Sequence, residues 1–117
     1  MSPHQSLVER LIAFRDARDW KRFHSLKDLM LSLNLEASEI LELAQWKKDD
    51  EVEALIGDPA FTGKLADEAA DVFIYLLLIC ERAGIDLIAA AEAKIDKNAA
   101  KYPVEKARGN AKKYTEL

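Results

Sequence analysis

The stretch LADEAADVFIYLLLICERAG, Leu65–Gly84, decides what kind of fold this chain can have. From Val72 to Cys80 it carries no charge, so a helix here is apolar nearly all round. Such a helix belongs inside a protein or an oligomer. The uncharged run is far shorter than the roughly 20 residues needed to cross a bilayer. Before Glu81 the only acids are Asp67, Glu68 and Asp71, with Tyr75 one turn further on. Acids planted in such a helix either face a narrow wet strip or gather around something positive.

The neighbouring segments read as more helix. Leu7, Val8, Leu11, Ile12 and Phe14 recur at helical spacing, which predicts a first helix over residues 5 to about 18. DWKRFH then breaks the pattern. Ser25 with Asp28 three residues later resembles a capping box and opens a second long helix through about Gln45. KKDDEVEALIGDPAFTG, from Lys47, reads as a charged connection with one helical turn near Val52–Ile56. The third helix is expected from Gly63 to Arg82, ended by Gly84. Asp86 caps a fourth through Lys101, where Tyr102-Pro103 stops it. VEKARGNAKKYTEL, residues 104–117, is a basic, irregular tail. No segment alternates as a strand would, so the expectation is one all-α domain over 1–117, four-helix-bundle-like.

Composition agrees. The 117 residues are half hydrophobic, with four glycines and three prolines. That suits a single helix-rich core. A net charge of −4 argues against a general nucleic-acid binder held by backbone electrostatics. The single Cys80 excludes an internal disulfide framework and reads as a buried thiol in a reducing compartment. MSPHQSLVER has no long apolar core with a cleavage site. The expectation is a cytoplasmic protein with no membrane partner.

EASEILELAQW, Glu36–Trp46, supplies a second set of acids. Residues three apart in a helix differ by about 60° around the axis. Glu36 and Glu39 therefore share one flank of the second helix, as Glu68 and Asp71 share one flank of the third. Each pair alone is as easily a solvated face. If the two helices pack antiparallel, four carboxylates converge, and unneutralised they would repel one another and resist burial. Glu42 rotates a further turn-step away and is the least certain member. His4 and His24 do not follow a Glu by three, so an ExxH di-iron pattern is absent, and zinc ligands are not clustered. An all-oxygen site for Mg²⁺, or Mn²⁺ in its place, remains, and phosphoryl chemistry is its usual work.

At this point the chain resembles the all-α nucleoside triphosphate pyrophosphatase superfamily, the MazG-like proteins, and within it the dCTP-hydrolysing branch. The resemblance rests on ExxE (Glu36, Glu39) and ExxD (Glu68, Asp71), on RDW and FH (Arg18–Trp20, Phe23, His24), and on LMLSLNLEASEILELAQWK. DEAADVFIYLL, KIDKNAAKYP and ARGNAKKYTEL follow in order, so it spans nearly the whole chain. It implies metal ligation by Glu36, Glu39, Glu68 and Asp71, and cleavage of a nucleoside triphosphate between the α and β phosphates. It further implies pockets shared between subunits, in a homodimer or a dimer-of-dimers tetramer. Two departures stand out: Leu35 replaces the first acid of EExxE, and Leu11 stands where vertebrate dCTP enzymes carry a histidine.

Other roles follow from the resemblance. Trp20, Trp46 and Tyr75 match positions lining a base and sugar pocket, where rings stack on a pyrimidine; His24 is a weaker candidate. Lys94 and Asn98, one turn apart on the fourth helix, and Lys113 in the tail (with Lys112) are phosphate-binding candidates. A solvated basic tail is the plain alternative. Glu39, central in ExxExxE, is the expected acceptor of the attacking water's proton. The expected activity is Mg²⁺-dependent conversion of a dNTP, dCTP or a modified dCTP first, to dNMP and pyrophosphate, cleansing the nucleotide pool. The competing readings are a dUTP or dATP enzyme, or a non-catalytic helical oligomerisation module.

Overall fold

The computed structural model describes residues 1–117, and its secondary structure is helical throughout, with no strand. Six α-helices follow in order: α1 Pro3–Ala17, α2 Leu26–Glu42, α3 Asp49–Ala54, α4 Pro59–Ala83, α5 Leu87–Lys101 and α6 Val104–Ala107. The chain divides into two compact units, Met1–Gly84 and Ile85–Leu117. No helix is long and apolar enough to cross a membrane.

Local chemistry sets most boundaries. Ser2 closes a full capping box with Gln5, and Pro3 occupies the first turn of α1. The expected start at residue 5 is therefore two residues late. Ser25 Oγ accepts from the Asp28 amide at the head of α2. α2 ends at Glu42, short of the expected Gln45, and Trp46 follows at φ 66.

The third predicted helix, α4, starts at Pro59 rather than Gly63. Asp58 Oδ1 accepts from the Ala60 amide and Pro59 sits in the first turn, so GDP is a helix start and not a break. Gly63 lies inside the helix. α3 continues into a short 3₁₀ turn at Leu55–Gly57, more regular than a charged connection. α4 ends at Gly84, φ 70, in the left-handed region that favours glycine.

Within the first unit α2 and α4 form the main packed pair, with α1 laid against α4. Leu29, Leu77, Leu78 and Cys80 are buried there. In the second unit Asp86 Oδ1 caps α5 at Ala89. The tail is not wholly irregular: it forms α6 and a 3₁₀ turn at Tyr114–Glu116. Tyr114 meets the edge of Tyr102, centroids 6.2 Å apart, and Lys101 Nζ lies 4.9 Å from the Tyr114 ring centre. These contacts fold the chain end back onto the foot of α5.

Candidate metal centre and adjoining cavity

α2 turns Leu29, Leu33, Glu36 and Ile40 to one side, and the same side carries its least exposed residues. Glu36 is thus drawn into the α2–α4 seam, with Glu39 on its rim. α4 offers Glu68 from the other side. Carboxylate oxygens of Glu36, Glu39 and Glu68 lie within 4.8 Å of one another. Glu36 Oε2 and Glu68 Oε2 are buried without a hydrogen-bond partner. Buried oxygens of that kind are costly unless something positive meets them.

The charges respond to this crowding. Glu68 is pushed up to about 7, first by a proton shared with Glu39, then by burial and by repulsion from Glu39, Asp71 and Glu36. Burial, then Glu39 and Asp71, raise Glu36 as well. Asp71 stands outside the tight trio but within its field. An all-oxygen set with two orphaned oxygens fits a hard divalent cation, not zinc. Glu42 lies on the other side of α2, beside Ser38, Leu41 and Gln45, and is not part of the cluster.

A cavity of about 450 Å³ opens next to the acids, between α1, the following turn and α4. Asp71, Ile74, Tyr75 and Leu78 supply its α4 wall; Leu7, Arg10, Leu11, Phe14 and Arg15 come from α1, Trp20 and His24 from the turn. Asp19, at φ 54, reverses the chain after α1. The Trp20 amide then donates to the Arg15 carbonyl, and its ring meets Phe14 edge-on at 5.7 Å. The volume and apolar lining suit a small organic ligand.

Of the residues singled out in the sequence, the structure brings together Glu36, Glu39 and Glu68, and places Asp71, Tyr75, Trp20 and His24 around the cavity. Trp46 is 93% exposed and does not line it. Lys94, Asn98 and Lys113 are exposed residues of the second unit. Sequence reading missed Arg15. It is only 5% exposed, donates from Nε to Asp16 Oδ1 at 2.9 Å and from Nη1 to Glu81 Oε2 at 3.0 Å, and borders the cavity. Its one sequence signal was a cation on the apolar side of α1.

The sequence matches the MazG-like family over residues 31–117, nearly three quarters of the chain. The chain belongs to the MazG-like family. Among curated relatives of this MazG-like chain, dCTP pyrophosphatase 1 of Rattus norvegicus is 41% identical over 119 residues, 99% of this chain and 70% of the relative. The Homo sapiens protein of that name is 40% identical over the same shares. A solved pyrophosphatase from Archaeoglobus fulgidus superposes with a TM-score of 0.79 at 39% identity, covering 88% of this chain and 94% of that one. The all-α architecture of this MazG-like chain is therefore one found in a solved pyrophosphatase.

Proposed function

We propose that this chain is a divalent-metal-dependent nucleoside triphosphate pyrophosphohydrolase that converts dCTP, or a modified dCTP, to the monophosphate and pyrophosphate. The observation that carries the reading is the juxtaposition of three converging carboxylates, two with orphaned oxygens, and an aromatic cavity that begins at Asp71. The relatives' names and the MazG-like match point the same way. Mg²⁺, or Mn²⁺ in its place, would be held by Glu36, Glu39, Glu68 and Asp71, where it would neutralise the cluster and draw in phosphate oxygens.

The protein's own groups set up the rest. Trp20 and Tyr75 hold the base and sugar between α1 and α4, which fixes the α-phosphorus near the carboxylates. Water attacks that phosphorus in line, and the bond to the bridging oxygen breaks as pyrophosphate leaves. Glu39, on the solvent-facing rim, takes the water's proton and returns it to bulk. The family resemblance assigns Lys94, Asn98 and Lys113, all in the second unit, to phosphate binding. Trp46 would serve as a pocket wall only from a second subunit.

Self-association is part of the proposal. Leu31, Leu35 and Leu41 stand out on the side of α2 away from α4, with Leu35 66% and Leu41 71% exposed. An apolar face of this kind marks an interface between copies, in a dimer or a tetramer of two dimers. The natural setting is a cytoplasmic role in clearing unwanted nucleotides.

A panel of dNTPs and 5-substituted dCTPs with Mg²⁺, with products resolved, tests the reading. Monophosphate plus pyrophosphate is expected, with dCTP or a 5-substituted dCTP turned over fastest. Diphosphate plus orthophosphate, or no turnover of any nucleotide, sinks it. Asp71→Asn should lose at least about 100-fold, since even groups that merely support a metal ligand cost 10–100-fold when changed. Its helical circular dichroism should persist. Retained activity would remove Asp71 from the site.

A further inference from the structure

The cavity has two polar groups at the end away from the carboxylates, and the proposed chemistry uses neither. Glu81, which holds Arg15, lies ten residues beyond Asp71 on α4, about 15 Å along the axis at 1.5 Å per residue. Arg15 is thus remote from the phosphate end. Its two hydrogen bonds use one proton each of Nε and Nη1, which leaves the second Nη1 proton and both Nη2 protons with no partner in the chain. The guanidinium is nearly wholly buried, so the cavity it borders is where those donors meet one. Beside it, His24 Nδ1 is also buried and unpartnered. Burial, then the Arg15 charge, hold His24 below its ordinary value, which keeps the ring neutral at neutral pH. A neutral imidazole with its proton on Nε2 presents Nδ1 as an acceptor.

A fork of donors next to one acceptor is the complement of a particular base edge. We propose that Arg15 and His24 read the Watson–Crick edge of cytosine in this cavity. The guanidinium donates to O2 and N3, and His24 Nδ1 accepts from the exocyclic amino group. Uracil and thymine present N3–H to the guanidinium and a carbonyl to Nδ1, so both contacts become donor against donor and acceptor against acceptor. Buried mismatches of that sort reject an analogue more strongly than any change of shape. The inference rests on the nucleotide reading above, because it takes the cavity as the nucleoside site.

Calorimetric titration of the full chain with dCMP and with dUMP tests it without turnover or metal. Wild type is expected to favour dCMP by at least about tenfold, the range a good bidentate base contact supplies. Two variants follow. R15K keeps the charge and the Glu81 partner but loses the planar fork. R15M/E81M removes the ion pair whole and strands neither charge. Circular dichroism confirms the fold of each. Both should bring the two mononucleotides to near parity, and H24F should do so in part. Equal binding by wild type, no binding of either mononucleotide, or an unchanged preference in R15K overturns the assignment. Selective dCMP binding with no dNTP hydrolysis would instead sink the pyrophosphatase reading and leave this one standing.

Discussion

Glu68 is a carboxyl whose environment opposes its own charge. Its folded pKa of about 7 lies above the ordinary 4.5, so the folded chain holds the proton more tightly than the unfolded one. The sign follows from linkage: in metal-free protein, the contribution of Glu68 to stability is fully present below about pH 4.5 and is lost as pH rises through about 7. Glu68→Gln cannot ionise and escapes that loss. In a chelator, thermal melts should show the variant gaining on wild type as pH rises through this window. Mg²⁺ should reverse the order at neutral pH by binding the folded wild type. A wild type whose melting point ignores both pH and Mg²⁺ would contradict the crowded-carboxylate account. Glu36 and Glu39 were legible as site candidates because helical spacing puts them on one flank. Arg15 was not, since its meaning depends on Glu81, 66 residues away.

At the scale of elements, α4 shows how caps govern the frame that carries Glu68 and Asp71. Two of its glycines make opposite predictions. Gly63 lies inside the helix with nothing within 4 Å of an added Cβ. Gly63→Ala should stabilise the chain by roughly 0.5–1 kcal/mol through helix propensity. Gly84 also has open space, but its φ of +70 makes Ala unfavourable. Gly84→Ala should cost roughly 1–2 kcal/mol, the penalty of a left-handed L-residue. Denaturant midpoints at unchanged slope would read both. Asp58→Ala should cost about 1 kcal/mol by removing the N-cap. The expected start of α4 lies four residues late because Gly57 and Pro59 also fit the punctuation of a connection. Asp58 followed by Pro59 is a start signal. Gly84 and Asp86 were read correctly, because caps act within one turn.

For the whole molecule, the decisive quantity is how little of a single chain is buried. Few apolar side chains are fully enclosed, while Leu31, Leu35 and Leu41 face outward. Light scattering should give a mass that is a multiple of 13.2 kDa, with a melting point that rises with concentration. L35E/L41E should shift the mass toward one chain and lower the melting point. A wild-type chain that stays at 13.2 kDa at high concentration would remove the interface role of α2.

What the sequence by itself determined is what local physics controls. The 3.6-residue period, the caps and the uncharged run in Leu65–Gly84 declare helices, and ExxE with ExxD declares two acid flanks. These follow from interactions spanning four residues or fewer. Only the tertiary structure decided which flanks meet. It brought Glu68 to Glu36 and Glu39, set Asp71 in the cavity wall, turned Glu42 outward, and paired Arg15 with Glu81 in the cavity that His24, its Nδ1 unpartnered, also lines. Those outcomes depend on how helices distant in the chain are set against one another, and no local pattern encodes that.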